Sequence, residues 1–501
     1  MQHMKPHSIT PDFVPRSTSY DGRFGRLFGR LPPWVPPGDK DEDRIRNIED
    51  FAINHMLPKD DGSPQDHPTL PAGYTYFGQF IDHDITFDPT SSLERQNDPD
   101  GLKNFRTPRL DLDSVYGRGP KDQPYLYEHD EKGNTTGLLI TGVGANGKEP
   151  DLARVAQQNK AVALIGDPRN DENIIVSQLQ LAIIRLHNVV LARVSEASPG
   201  LSTMERFHEA QCVVRWFYQY LVWNDFVKRI VPDDIWATAL ADKGKGLGLE
   251  LGYKGVYSWE VNPYIPVEFS VAAYRFGHSL IRRGYQLNFP RQGAFGTEHE
   301  LPIFNPDGSK TDDLRGGRQL PKDHTVQWDF FFDLDGEDGF PQKAGLFDTT
   351  LSPGVTNIPS EDDSAPNPLA SLNIQRGWRF HLPSGPAVAQ AMGFEPVKME
   401  HEMQNALWVY ILHEAQVQQG GNTLGQVGGT IVAAVFAGLL KGDHLSYVSQ
   451  NPTWSPDKDP LLAGGPRRPN AGKEWTIGDL LAIAKMPINS GDVENAIAGN
   501  G

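Results

Sequence analysis

The chain has 501 residues, a formal net charge of −17 at pH 7 and 38% hydrophobic residues. This composition is typical of a soluble globular protein and excludes a disordered chain. The 47 Lys and Arg residues form no basic block among 64 Asp and Glu residues. We therefore expect no nucleic-acid partner, because binding to phosphates needs clustered positive charge. The single cysteine, Cys212, cannot form an intrachain disulfide.

The chain is predicted to form an N-terminal arm followed by one large domain. The proline-rich stretch RLPPWVPPGDK favours extended geometry, so residues 1–45 are interpreted as an arm lying on the body. No linker divides residues 46–501, which we expect to form one domain. The start, MQHMKPHSIT, lacks the apolar core of a secretory signal, and the longest apolar run, Ile431 to Leu440, is far shorter than the ~20 residues of a membrane span. We expect no membrane span, and either a cytoplasmic location or nonclassical export.

Helical periodicity dominates the sequence, and strand-like alternation is scarce, so the predicted fold is mostly α with long loops and little β. Ser202 and Glu205 form a capping-box pattern, Pro266 suits a first helical turn, and Gly284 suits a helix stop. The predicted helices are Gly78–Phe87, Ile174–Ala197, a run from Ser202 to Val231, Val267–Arg283, Met399–Gln418, Ile431–Lys441 and a pattern from Trp475 to Lys485.

The first segment with chemical potential is YTYFGQFIDHDITFD. On a helix, Gln79 and His83 share a face, with Asp82 beside them. A capped surface helix with a solvated histidine is one interpretation. Phe77 and Phe80 favour the other, in which the polar trio lies near the core, because these rings require burial.

The second segment is GDPRNDEN, directly before the predicted helix that begins at Ile174. Arg169 then lies at the entrance of a buried helix. It could be a structural cation that pairs with Asp167, or a fixed positive charge for a developing oxyanion.

The third segment is SVAAYRFGHSLIRRG, in which Arg275 and His278 lie one helical turn apart. Gly277 leaves space beside His278 for a flat ligand. A core histidine with satisfied hydrogen bonds is the alternative.

In order, spacing and local context, these segments resemble the animal-type haem peroxidase superfamily. The family motifs stand here as Gln79, Asp82, His83 and Asp84; Asp167, Arg169 and Glu172; Arg185, His187 and Asn188; Arg275, Gly277 and His278; and Asn373 with Arg376. The compact chain without disulfides is similar to the bacterial branch of the family.

The resemblance implies a peroxidase that reacts with hydrogen peroxide through a ferryl intermediate. His83 would transfer a proton, Arg169 would stabilise charge, and Gln79 would lie where the family places a halide. His278 would be the axial ligand of the haem iron, with its other N–H donated to Asn373. The donor would be a halide, thiocyanate or a phenol, and we expect a monomer.

The resemblance also implies how haem b is held. Asp82 and Glu172 occupy the positions of the family's ester links to the haem, so two covalent links are expected. The family's most specialised member has a methionine after that glutamate, where this chain has Asn173, so a third link is not expected. Arg275 and Arg376 complete the expected cofactor-binding set.

A calcium site is the next implied feature. The stretch TPRLDLDSVYG places Thr107, Arg109, Asp111 and Asp113 at every second residue, so side-chain or carbonyl oxygens could face one cation together with Asp84. This is similar to the family's calcium loop, whose last position is usually Ser, whereas Asp113 adds a negative charge. A solvated acidic turn is the alternative.

Two other functions stay open. Fatty-acid oxygenases of the same superfamily use a tyrosyl radical three residues before the axial histidine, where this chain has Arg275. Tyr274 lies one residue earlier and would face about 100° away on an α-helix. The other possibility is a protein that binds haem or calcium without catalysis.

Overall fold

The structure of the chain is a computed structural model. It describes residues 24–58, 65–87, 104, 106–158, 160–240, 248–249, 256–259, 262–288, 300–305, 312–334, 341–355, 368–469 and 471–498. The longer helices are α1 (Asp41–His55), α2 (Gly73–Ile85), α3 (Ile174–Ala197), α4 (Thr203–Leu221), α5 (Leu369–Arg379), α6 (Gly385–Met392), α7 (Leu407–Gln419), α8 (Gln426–Gly442) and α9 (Ser490–Ala498). Shorter α-helices are Asp113–Tyr116, Lys228–Ile230, Asp233–Ala239, Val267–Val271, Tyr447–Gln450, Pro460–Ala463 and Ile477–Ile483.

Seven 3₁₀ turns and one π-helical stretch complete the helical elements of the described residues. The 3₁₀ turns are Pro124–Leu126, Pro168–Asp171, Ala273–His278, Trp328–Phe330, Pro353–Val355, Glu402–Asn405 and Pro456–Lys458, and the π-helix is Val222–Val227. The prediction of a mostly α fold is confirmed.

The strands in the described part of the chain are short and form six antiparallel pairs. They are β1 (Asp66–Pro71) with β12 (Lys343–Gly345), β2 (Tyr127–His129) with β3 (Thr135–Leu139), β4 (Thr141–Val143) with β5 (Pro150–Leu152), β6 (Arg154–Gln157) with β7 (Lys160–Ala163), β8 (Gly248–Leu249) with β9 (Tyr257–Ser258), and β10 (Gly284–Tyr285) with β11 (Leu301–Pro302).

Helix α3 is the centre of the fold, as its all-round apolar pattern predicts. No residue from Ile174 to Leu191 is exposed, and the helix packs against α2, α4 and the helix Ile477–Ile483. It is also long and apolar enough to cross a membrane, but 83% of that window is buried inside the protein. The buried apolar side chains form one continuous core, which agrees with a single domain.

The capping box at the start of α4 is confirmed, because Ser202 and Glu205 exchange side-chain to backbone hydrogen bonds. The predicted run to Val231 continues beyond α4 as the π-helical stretch and the helix Lys228–Ile230.

Two predicted helices are shorter than expected. The helix predicted over Val267–Arg283 ends at Val271, because Ala272 has φ −128° and ψ −71°, and a 3₁₀ turn then continues to His278. The helix predicted from Met399 begins only at Leu407. Sequence periodicity did not detect either break, since 3₁₀ and α turns bury similar faces over so few residues.

The described part of the arm lies on the body. Phe24, Leu27 and Phe28 pack against the core, and the buried carboxylate of Glu268 accepts hydrogen bonds from the backbone N–H groups of Leu27 and Phe28, each at 3.0 Å. The predicted boundary at residue 45 falls inside α1. The arm over residues 1–23 lies outside the described residues, so the two-part division stays a prediction.

Candidate active site

Three of the five predicted motifs, from distant parts of the sequence, meet around one cavity of about 920 Å³. This volume is within the range of about 300–1,000 Å³ that is usual for cofactor sites. Six predicted residues line the cavity: Gln79, Asp82, His83, Glu172, Arg275 and His278. The cavity therefore joins the first, second and third segments of the sequence.

His83, on α2, is a buried histidine in a fixed tautomer. Its Nδ1 lies 2.7 Å from Oδ1 of Asn170, whose amide nitrogen donates to Gln180 at 2.8 Å. Because that amide presents its oxygen to the ring, Nδ1 carries the proton and Nε2 is the acceptor. Burial, followed by the charge of Arg169, lowers the pKa of His83 to about 3. A neutral imidazole with a free lone pair can accept a proton at neutral pH.

Arg169 lies beside His83, but its guanidinium is not among the groups that line the large cavity. It pairs with the buried Asp167 through Nε at 3.1 Å and Nη2 at 2.8 Å. Nη2 also donates to the backbone carbonyls of His83 (3.0 Å) and Thr86. These contacts match the structural ion pair with Asp167, and the charge of Arg169 also acts on His83. The role of Arg169 at a developing oxyanion stays a prediction.

Arg169 lines a second cavity of about 170 Å³ together with Asp82, Arg275 and Arg376. Asp82 and Arg275 line both cavities, which therefore adjoin. Three guanidinium groups around one carboxylate suit an anionic ligand, because arginine pairs well with carboxylates. Burial raises the pKa of Asp82, and Arg169 and Arg275 oppose that shift.

His278 is the last residue of the 3₁₀ turn that begins at Ala273. Burial lowers the pKa of His278 to about 3, followed by the charges of Arg275 and Arg376, so the ring is neutral, as a metal ligand must be. Its Nδ1 lies 2.8 Å from the amide nitrogen of Asn373. A Cβ on Gly277 would meet no atom within 4 Å, which agrees with the open space predicted there.

The hydrogen bond between Asn373 and His278 runs opposite to the expected direction. Oδ1 of Asn373 accepts from Nη1 of Arg275 at 3.3 Å, so the amide nitrogen is left to face the ring. The pairing of the two side chains is as expected, and the ring nitrogen is the acceptor instead of the donor. Since an arginine can only donate, its contact decides which end of the amide faces His278.

Gln79 and Glu172 line the large cavity next to the start of α3. Asn173 caps α3 through Oδ1, which accepts from Val176 N–H at 2.9 Å, and its Nδ2 donates to Gln79 at 3.2 Å. Burial raises the pKa of Glu172, with Arg169 acting in the opposite direction. One asparagine thus orders both the helix start and a cavity side chain.

Tyr274 and Arg275 both line the cavity, although α-helical spacing predicts that the two side chains point about 100° apart. The 3₁₀ turn separates them by about 120°, so the turn geometry does not bring Tyr274 onto the face of Arg275 and His278. The Tyr274 hydroxyl donates to the backbone carbonyl of Gly78 at 3.1 Å, and its ring stacks on Phe269.

The predicted calcium loop brings Asp84, Asp111 and Asp113 together, with one carboxylate oxygen of each within 4.8 Å of the others. Burial raises the pKa of Asp84, followed by the charges of Asp111 and Asp113. Thr107 donates to Asp111 at 2.9 Å. The guanidinium of Arg109 pairs with Asp443, so only its carbonyl could face a cation. Three close carboxylates with hard oxygen donors suit a divalent cation such as calcium.

Sequence reasoning missed two buried arginines. Arg106 pairs with Asp113 and Asp167, and Arg154 pairs with Asp171 and Asp151. Two of these four partners, Asp167 and Asp171, are 61 and 17 residues away in the chain. The only sequence signal was the position of Arg106, directly before the acidic loop.

Comparisons with known proteins show the family of this chain. The model of the family described as "Animal haem peroxidase" matches residues 95–423, about two thirds of the chain. The chain belongs to the animal haem peroxidase family. It is 28% identical over 309 residues to a protein named "Chorion peroxidase" from Drosophila melanogaster, covering 57% of this chain and 35% of that protein. This peroxidase-family chain thus corresponds to only about a third of that relative's length.

Two solved structures share the fold of this family member. Peroxidase A from Dictyostelium discoideum has a TM-score of 0.62 at 14% identity, and 95% of each chain is covered. A fatty acid alpha-dioxygenase from Oryza sativa has a TM-score of 0.55 at 17% identity, with 97% of this chain and 86% of that chain covered. At these identities the likeness concerns the fold alone. The bacterial branch stays a prediction.

Proposed function

We propose that this protein is a haem-dependent peroxidase that uses hydrogen peroxide to oxidise a small donor, such as a halide, thiocyanate or a phenol. The observation that supports it most is that two neutral histidines, the buried His83 and the half-buried His278, line one cavity of cofactor size. One of them would hold iron and the other would transfer the peroxide proton. A bound haem supplies the redox chemistry, in which peroxide is reduced and the donor is oxidised.

His83 acts as the proton carrier in this proposal. Its Nε2 accepts a proton from hydrogen peroxide and returns it to the departing oxygen, which leaves as water. Asn170 holds the proton on Nδ1 throughout, so the accepting nitrogen always faces the cavity. Arg169 stabilises the negative charge on the departing oxygen by its fixed charge, and Gln79 orients the bound peroxide or halide.

The residues of both cavities fit haem b. His278 would bind the iron through Nε2, which requires the proton on Nδ1 and therefore a half-turn of the Asn373 amide. Arg275 and Arg376 would pair with the haem carboxylates in the second cavity. Asp82 and Glu172, which both line the large cavity, would form the two ester links.

A calcium ion would be held by Asp84, Asp111 and Asp113 with Thr107 and the carbonyl of Arg109. The raised pKa of Asp84 has its cause in burial near two other carboxylates, and a bound cation would remove that repulsion. Asp84 directly follows His83 on α2, so this ion would also fix the end of that helix.

A fatty-acid oxygenase is the second candidate, because Tyr274 lines the same cavity as His278. The peroxidase proposal is preferred since the Tyr274 hydroxyl is already bonded to Gly78 and its ring is packed between aromatic side chains.

The test is the visible absorption spectrum of the full chain produced with haem and calcium. We expect a Soret band that changes with one equivalent of hydrogen peroxide and returns when a halide or phenol is added. His278→Ala should abolish the band, whereas His413→Ala, at a buried histidine that binds the carbonyl of Lys398, should keep it. A wild-type protein that retains no haem would refute both candidates. Oxygen uptake with a fatty acid, lost in Tyr274→Phe, would favour the oxygenase.

A further inference from the structure

Arg106 is a fully buried cation between the acidic loop and the second motif. Its side chain is 0% exposed. Nη1 donates to Asp113 at 2.8 Å, Nε donates to Asp167 at 3.0 Å, and Nη2 donates to the carbonyl of Gly166 at 3.1 Å. A buried arginine held by two carboxylates has a fixed position, because leaving either carboxylate unpaired would be costly.

Arg106 is a shared partner of two functional groups. Asp113 belongs to the acidic cluster with Asp84 and Asp111. Asp167 accepts hydrogen bonds from the backbone N–H of Arg169 at 2.9 Å and from its Nε at 3.1 Å. A continuous series of ion pairs therefore runs from the acidic cluster through Arg106 and Asp167 to Arg169.

This series ends at the proton-transferring histidine. Nη2 of Arg169 donates to the carbonyl of His83 at 3.0 Å, and the charge of Arg169 lowers the pKa of that ring. The chain also has an acid, Asp113, where the family loop usually has a serine, and Arg106 neutralises that additional charge. The Arg106–Asp113 pair is thus a charge-balanced connection between the acidic loop and the second motif.

We propose that Arg106 is a positioning residue that couples the cation site to Arg169. This inference rests on the proposed calcium site. A divalent cation at the acidic cluster competes with Arg106 for Asp113, so Arg106 binds Asp167 more tightly and orders Arg169. Coupling between two sites is reciprocal, so changes at Arg169 must also alter calcium affinity.

The test is a double-mutant cycle on the haem-loaded full chain, with calcium affinity measured by titration calorimetry. Arg169→Lys should weaken calcium binding by about 5-fold or more in the wild-type background. The same change should have no effect in an Arg106→Lys background, because lysine cannot bridge both carboxylates. As a second readout, calcium removal should weaken cyanide binding to the ferric protein, and Arg106→Lys should abolish that dependence.

Arg154→Lys is the matched control. The side chain of Arg154 is also buried, and it donates two hydrogen bonds to Asp171, which lies in the same 3₁₀ turn as Arg169. None of the hydrogen bonds and ion pairs of Arg154 in the described residues reaches Asp84, Asp111 or Asp113. The effect of Arg169→Lys on calcium affinity should persist in that background. If Arg106→Lys does not fold, Arg106→Gln serves in its place, because glutamine keeps one hydrogen-bond donor without the positive charge and leaves the proposed calcium ligands unchanged.

The outcomes separate the two proposals. If the protein binds calcium and the effects of Arg169→Lys and the Arg106 variant on calcium affinity are additive, the coupling is overturned and the calcium site is left intact. An equal loss of coupling in Arg154→Lys would also overturn it, since the effect would then be general destabilisation of the turn. No calcium binding by the wild-type protein would refute the calcium site and the coupling together.

Discussion

The tautomer and low basicity of His83 lead to a sharp prediction about Asn170→Asp. In the wild-type protein, burial lowers the pKa of His83 to about 3. The ring therefore stays neutral in ordinary buffers, and the rate of the reaction with hydrogen peroxide should be constant from about pH 8 to about pH 4. An unperturbed histidine, with a pKa near 6.5, would lose its accepting nitrogen well above that range.

The substitution places a carboxylate at the atom that now lies 2.7 Å from Nδ1 of His83. An opposite charge at such a distance raises a histidine pKa by about 1–3 units. Starting from about 3, the pKa of His83 should become about 4–6. At pH 4 the neutral fraction then falls to between about one half and one hundredth, so the rate should drop about 2- to 100-fold, with little change at pH 7.

Stopped-flow absorbance at the Soret band, with pH jumps from pH 7, measures this rate before acid can unfold the protein. Asn170→Leu is the control, since it removes the acceptor without adding charge. Its rate should fall by roughly fivefold at every pH, which corresponds to about 1 kcal/mol for one hydrogen bond. The reasoning would be refuted if the rate of the wild-type protein already fell near pH 6.5. It would also be refuted if Asn170→Asp did not move the pH at which the rate falls.

Three further predictions concern other parts of the protein. Burial raises the pKa of Glu414 to about 7, while its carboxylate accepts hydrogen bonds from the first N–H groups of α8. The pKa of Glu414 is higher in the folded state than in the unfolded state, so protonation of this side chain stabilises the fold. This stabilisation is fully present below about pH 4.5 and is lost as the pH rises through 7. Glu414→Gln should therefore reduce the fall in unfolding free energy between pH 5 and pH 8 by about 2–3 kcal/mol in urea titrations, and an unchanged fall would contradict the assignment. Calcium at a hundredfold excess over its Kd should stabilise the protein by about 3 kcal/mol, and Asp84→Asn should remove most of that effect in thermal melts, whereas a chelator-insensitive melt would argue against the site. Asp82→Asn and Glu172→Gln should each remove one ester, so mass spectrometry of acid-denatured protein should find haem on both single variants and none on the double variant; a denatured wild-type chain without haem would disprove the covalent links.

The sequence alone was sufficient for the features that depend on local interactions. Helix α3 was predicted at its observed bounds, because an apolar pattern around the whole helix requires complete burial. The capping box of Ser202 and Glu205 was predicted because its hydrogen bonds join residues three positions apart. The motif residues were likewise recognisable, and seven of the fifteen line the large cavity.

The tertiary structure decided what depends on contacts across the chain. The charge of Arg169 is oriented by Asp167 and Arg106, the tautomer of His83 is set by Asn170, and neither series of contacts has a periodic signal in the sequence. Tyr274 likewise lines the cavity, and its hydroxyl donates to the carbonyl of Gly78, which is 196 residues away in the chain. Local hydrogen bonds and burial patterns recur every few residues and can be read in order, whereas a buried ion pair depends on which distant segments the fold brings within about 3 Å.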